Sequence, residues 1–198
     1  MNSLTSLVHR TLACHPRTPD RVIRAVGVAA GGTADGGLAL SFALEGDLTA
    51  VRIPEHRPSR RVDGLWRHTC FEAFVMAGEG PGYREFNFSP SGEWAITAFR
   101  GYRDAAEQAT ESGPEIKVRR RGERLELDAE IRPECLPPGR SLRLGLSAVV
   151  EDAHGELTYW ALRHPEGQPD FHHKDAFALP LELTSMADVD TLTGRMVR

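Results

Sequence analysis

Between residues 66 and 89 the sequence sets groups that ionise, hydrogen-bond or stack at intervals of two. Trp66, His68, Cys70, Glu72 and Phe74 alternate with Arg67, Thr69, Phe71, Ala73 and Val75. In an extended chain residues two apart share a face, so the two sets point opposite ways. In the next extended run Tyr83, Glu85, Asn87 and Ser89 oppose Arg84, Phe86 and Phe88. With Phe71, Ala73, Val75, Phe86 and Phe88 turned to a core, His68, Cys70, Glu72, Glu85 and Asn87 meet on the other surface, framed by Trp66 and Tyr83. Such groups beside flat aromatic faces suit a polyhydroxylated ligand, because a sugar ring offers C–H groups to stack and hydroxyls to hydrogen-bond. An ordinary antiparallel sheet also shows a solvated polar face. The tryptophans, Trp66, Trp94 and Trp160, tip the balance toward a ligand, with Trp66 and Trp160 as the stacking platforms.

Catalytic readings of these residues are weaker. His68 and Cys70, same-face neighbours on a strand, sit about 7 Å apart, too far for a base that must lie within about 3.2 Å of its proton. Glu72 and Glu85 could form a carboxylate couple of the kind that cleaves glycosides. A second concentration runs from Trp160 to His173. There Asp170 and His172, two apart, could hold a transition metal, with His68, Cys70 or His164 as a third ligand. A hydrogen-bonded loop over the end of the fold is the competing reading.

The elements that must position these groups are short strands. Arg21 to Val28 and Leu38 to Leu44 flank a glycine cluster and read as a hairpin. No Lys-Ser/Thr follows the glycines, which argues against a phosphate loop. A short strand from Thr49 to Ile53 ends at Pro54. Leu65 to Met76, Tyr83 to Ser89 and Trp94 to Arg100 are separated by turn-forming stretches and form an antiparallel meander. Tyr102 to Glu111 is the best helical candidate. Further strands run over Glu115 to Arg121, Arg124 to Ile131, Ser141 to Glu151, Leu157 to Arg163 and Asp175 to Leu183. Arg119, Arg120 and Arg121 read as a charged strand edge rather than an anion site. The fold class expected is all-β, an antiparallel β-sandwich with one short helix at most. It spans 1–183 as a single domain, and 184–198 is a polar tail. An up-and-down barrel is the main rival.

Composition bounds the partners. The chain has 198 residues, 40% of them hydrophobic, enough for a substantial core. A formal net charge of −4 gives no electrostatic reason to expect nucleic acid or an anionic membrane surface. Cys14, Cys70 and Cys135 stand far apart and point to neither a disulfide framework nor a zinc knuckle. The expected setting is the reducing cytoplasm, since the first residues lack an export signal and no stretch approaches the ~18 apolar residues of a membrane span.

Three blocks carry a family likeness: Leu65-Trp66-Arg67-His68-Thr69-Cys70-Phe71-Glu72-Ala73-Phe74, then Tyr83 to Trp94, then Phe99-Arg100-Gly101-Tyr102-Arg103. Together with the late runs Trp160 to Pro165 and Pro169 to His173, the sequence resembles bacterial DOMON-like proteins related to family 9 carbohydrate-binding modules. The resemblance implies a β-sandwich whose relatives bind a sugar or a haem in a pocket on one sheet, usually without catalysis. Haem-binding relatives use a methionine and a histidine as axial ligands. Met76 and His68 would lie about 26 Å apart along one strand, too far to share an iron, which leaves Met76 with His172 or His173. The expected function is non-catalytic binding of a small ligand, a saccharide foremost, with His68, Glu72, Glu85 and Asn87 orienting its hydroxyls and no cofactor. The alternatives are a sugar-acting enzyme using Glu72 and Glu85 or a His-held divalent metal, and a haem-binding domain. Oligomeric state stays open.

Overall fold

The structure, a computed structural model, describes residues 7–106 and 112–183. The alternation of apolar residues sets its layers. On β3 (Leu38–Gly46), Leu38, Leu40, Phe42 and Leu44 point inward, and on β9 (Arg124–Ile131), Leu125, Leu127, Ala129 and Ile131 do the same. These two strands pair antiparallel, with β2 (Ile23–Gly32) beyond β3 and the edge strand β8 (Glu115–Arg121) beyond β9. Arg119 on that edge pairs with Glu126 and Asp128, so the arginine triplet is engaged with neighbouring acids at this point.

The second layer runs β7 (Asp104–Ala106), β6 (Trp94–Gly101), β5 (Tyr83–Phe88), β4 (Cys70–Ala77), β10 (Ser141–Glu151). The far edge of β10 is shared. β11 (Leu157–Ala161) pairs with its C-terminal half and β12 (Leu179–Glu182) with its N-terminal half. β1 (Val8–Cys14) links the layers, pairing with β2 over Val8 to Leu12 and with β11 through Ala13 and Cys14. All strand pairs are antiparallel, and the three strands of the expected meander, β4, β5 and β6, are adjacent.

Between the layers Phe71, Ala73, Val75, Phe86 and Phe88 meet the β3 and β9 side chains. The Phe42 and Phe71 rings sit 5.0 Å apart. Burying each such ring contributes roughly 1.5–3 kcal/mol. The second sheet is covered on its outer face as well, which is why β4 reads as a nearly continuous buried run. Its outer cover includes a smaller aromatic cluster of Phe74, Tyr83 and Phe177, with Phe99 and Phe171 packed against it. Gly145 on β10 permits the close approach of this cover. A Cβ there would lie 3.2 Å from the Ala176 carbonyl oxygen and 3.4 Å from Phe74 Cβ.

Several elements differ from expectation. The strand expected from Leu65 begins at Cys70; Leu65–Arg67 is a 3-10 turn entered through Gly64, whose φ of 78° only glycine adopts readily. Over 49–53 a single bridge joins Val51 to Asp152. The expected helix from Tyr102 is instead the hairpin partner of β6: Ala105 pairs with Phe99, and sheet pairing overrides the helix preference of the alanines. Residues 107–111 and the expected tail, 184–198, lie outside the described residues. β1 carries no apolar alternation, since only Leu12 is buried in it, and backbone pairing alone makes it a strand. No helix of the described residues is long and apolar enough to cross a membrane.

Candidate functional site

The outer face of the second sheet holds a cavity of about 860 Å³. Strand register builds its floor. Glu72 stands opposite Asn87, which stands opposite Ala95; Phe74 stands opposite Glu85, which stands opposite Thr97. Ser147 on β10 is the partner of Glu72 on the other side. Val149 and Tyr159 extend the floor toward β11. The walls come from connections. Arg61, Asp63, Gly64 and Trp66 belong to the segment before β4, Arg103 to the β6–β7 turn, and Gln168, Pro169, Phe171 and His172 to the strap joining β11 to β12. The first wall is tied to β6 by the Val62 amide, which donates to the Trp94 carbonyl at 2.8 Å.

Trp66 is 48% exposed, the one tryptophan presented to solvent. Such exposure of a large apolar ring on a cavity wall is informative, whereas buried indoles are ordinary core. The Arg67 guanidinium sits 5.2 Å from its ring centroid on a cation–π contact.

The floor carries its polar groups nearly out of water. Ser147 Oγ donates to Glu72 Oε2 at 3.0 Å, and Asn87 Nδ2 donates to Glu85 Oε1 at 2.6 Å. Burial, reinforced by the neighbouring Glu85 charge, pushes the Glu72 carboxyl up to about 8 from 4.5, so at neutral pH it keeps its proton. Burial raises Glu85 too, against the opposing pull of the Asn87 amide and the Arg103 charge. Cys70, fully buried, has its thiol 3.6 Å from Asn87 Oδ1, and burial together with the Glu72 charge holds it well above the usual thiol range. It is an inert packing thiol.

A latch fixes the strap. Arg103 has a φ of 54°, a left-handed backbone uncommon outside glycine. From that turn its guanidinium reaches Asp170 Oδ1 at 3.0 Å, and the Tyr102 hydroxyl donates to Asp170 Oδ2 at 2.8 Å. Burial alone would raise Asp170; these two bonds outweigh it and hold the carboxyl below its ordinary value. The Tyr83 hydroxyl lies 2.8 Å from His172 Nδ1 and accepts from the Arg103 amide at 3.2 Å. Burial and then the Arg103 charge depress His172 to about 4, so the ring is neutral. With the phenol hydrogen directed at Nδ1, the imidazole proton is assigned to Nε2, which faces Glu85 Oε2 at 3.8 Å.

Of the residues expected at a site, the cavity gathers Trp66, Glu72, Glu85 and Asn87. Trp160 goes elsewhere. It is 6% exposed within the core between the layers, because its register partner Ala148 faces that core; Tyr159 occupies the outward position instead. Trp94 is core as well. His68 lies past the 3-10 turn, beside a neighbouring cavity of about 520 Å³, with Nδ1 bound to Glu151 Oε2 at 2.7 Å. Strand parity does not apply to it, since β4 starts two residues later. Tyr83 stands behind the wall, stacked on Phe99 at 4.7 Å and orienting His172. Asp170 and His172 do not converge as ligands: the carboxylate is engaged by Arg103 and Tyr102, and the imidazole turns to Tyr83 and Glu85. Among the described residues no group of three or more His, Cys, Asp and Glu is placed to hold a metal ion. Nδ1 of His173, the other haem-ligand candidate, accepts from the Asp175 amide at 3.3 Å.

Sequence reasoning passed over Arg103, Asp170 as a latch, Phe171 and Tyr159. The signal for Arg103 was the Gly101-Tyr102-Arg103-Asp104 turn; the strap gave none, because its contacts depend on where β11 ends.

No family model matches the chain, and no curated protein matches it. Solved structures do. A "putative carbohydrate-binding protein" from Bacteroides uniformis ATCC 8492 superposes with a TM-score of 0.68 at 16% identity, over 90% of this chain and 87% of that one. A family 9 carbohydrate-binding module from Caldicellulosiruptor kristjanssonii, solved with glucose, gives a TM-score of 0.52 at 8% identity, over 86% of this chain and 81% of that one. At these identities the likeness concerns the fold, and the fold is a β-sandwich of the kind found in family 9 carbohydrate-binding modules.

Proposed function

We propose that this protein binds a small saccharide in the cavity on its second sheet and performs no chemistry on it. The observation that carries the reading is one exposed indole, Trp66, on the wall of a cavity floored by buried carboxyl and amide groups. Its volume falls within the range of about 300–1,000 Å³ usual for small-molecule sites. A sugar ring lying on Trp66 points hydroxyls at Glu85, Asn87 and Nε2–H of His172, which supply an acceptor, a mixed group and a donor. The solved neighbours support the reading through the functions ascribed to them.

Calorimetric titration with a panel of mono- and disaccharides tests it. At least one sugar binds, and Trp66→Ala weakens it tenfold or more, about 1.4 kcal/mol, while leaving the thermal midpoint nearly unchanged because the ring is half exposed. Asn87→Ala weakens it as well. Absence of heat from every sugar overturns the reading.

A second reading rests on the raised titration of both floor carboxyls. In it Glu72, which keeps its proton at neutral pH, is a general acid and Glu85 its partner in glycoside hydrolysis. Release of a chromophore from aryl glycosides, lost in Glu85→Gln, separates this from plain binding.

A further inference from the structure

The floor of the cavity holds more acid than the protein itself neutralises. Glu72 is 2% exposed and Glu85 7%. Among the described residues the hydrogen-bond donor to Glu72 is a neutral hydroxyl, Ser147, and the donor to Glu85 is a neutral amide, Asn87. The cations on the walls are Arg61 and Arg103, and each already faces another acid: Arg61 lies 3.6 Å from Asp63, and Arg103 lies 3.0 Å from Asp170. His172 is a neutral imidazole 3.8 Å from Glu85, and the Arg103 charge, shared with Asp170, does not offset the burial of Glu85, which stays raised. Tyr159 on β11 and Tyr83 on β5 face the pair as phenols, and Cys70 as a thiol, so none adds positive charge.

Two buried neighbouring carboxyls cannot both ionise without a large cost unless a cation joins them. A cavity that opens onto such a pair is complementary to a ligand bringing that cation. Building on the saccharide reading above, we propose that the preferred ligand carries a basic nitrogen, an amino sugar or a related polyhydroxylated amine, whose ammonium sits against Glu72 and Glu85 while its ring lies toward Trp66. A neutral sugar satisfies the hydrogen bonds of this floor and leaves its charge uncompensated. The ammonium does both. A carboxylated sugar brings a further acid to the same place and is disfavoured.

Seating the ammonium has a proton balance. In the free site at neutral pH Glu72, facing Glu85, holds its proton. An ammonium between them favours both as carboxylates, so the ligand keeps its proton and the proton of Glu72 passes to the buffer.

Calorimetry with four probes on one ring tests this: glucose, glucosamine, N-acetylglucosamine and glucuronate. It is run on the acid side of neutrality, where the glucosamine amine is protonated, in two buffers of different ionisation heat. Glucosamine binds at least tenfold more tightly than glucose and releases protons. N-acetylglucosamine, which lacks the charge, loses that advantage, and glucuronate is the weakest. Glu72→Gln removes the proton release and the preference for the amine; its fold is checked by thermal melting. The buffer comparison on the unaltered protein stands without any variant. Equal affinity for glucose and glucosamine, or an amine bound with no buffer dependence, overturns the inference and leaves saccharide binding in place. No heat from any of the four overturns the inference, and no heat from the wider saccharide panel overturns the binding reading with it.

Discussion

Glu72 and His172 are shifted in opposite senses by the same burial, and their effects on stability have opposite signs. Glu72 titrates at about 8 in the fold against an ordinary 4.5. Across that window the folded state holds a proton that the unfolded chain has lost, so stability falls as pH rises, by at most about 1.4 kcal/mol per pH unit. Glu85, also raised, adds to the same trend. His172 titrates at about 4 against 6.5, so there the unfolded chain binds the extra proton and stability rises with pH. The two slopes oppose each other below 6.5, and above it the His172 slope is gone and the decline from Glu72 continues up to about 8. Glu72→Gln therefore flattens the decline over that upper window and gains about 2 kcal/mol on the unaltered protein by its alkaline end. Denaturant midpoints measured across that window check this; parallel curves for the two proteins contradict it. At this scale the sequence was legible where parity held. Glu72, Glu85 and Asn87 sit on true strands and share a face. His68 does not, because the Asp63-Gly64 turn resets the chain just before it.

Connections between strands make the walls, and they were the least legible parts. The three tryptophans are equivalent in composition, yet Trp94 and Trp160 lie on strands whose register turns them inward and Trp66 lies on a turn that turns it out. Periodicity cannot separate these cases without knowing where a strand begins. The strap is held by a cluster of bonds around Asp170, with Arg103, Tyr102 and the His172 amide all donating to its carboxylate. Asp170→Asn keeps the shape and removes the charge that Arg103 meets. Expected are faster amide exchange across 165–173 and weaker saccharide binding, with the thermal midpoint lowered only slightly, since the strap lies outside the main core. Hydrogen exchange read by mass spectrometry checks it. Unchanged exchange in that segment would show that the aromatic contacts of Phe171 and the Tyr83–His172 bond hold the strap without the Asp170 charge.

Among the described residues the second sheet is covered on its outer face by connections, and its floor carries the cavity of about 860 Å³. That cover follows from β10, which is eleven residues long and serves β4 along one edge and both β11 and β12 along the other. The connection from β11 to β12 must then cross the outer face of the sheet, and it becomes the wall of the cavity. The two-layer architecture was readable from alternation in β3, β9 and β10, where one face is apolar throughout. The crossing was not, because it depends on a pairing between distant strands. The central claim is that a saccharide lies against Trp66 above Glu85 and Asn87. The measurement that tests it most directly is a nuclear magnetic resonance titration following the three indole N–H signals as a bound sugar is added. The Trp66 indole and the Asn87 side-chain amide shift together with a common affinity, while the Trp94 and Trp160 indoles, buried between the layers, stay in place. A sugar that binds without moving Trp66, or that moves the two core indoles instead, contradicts the account.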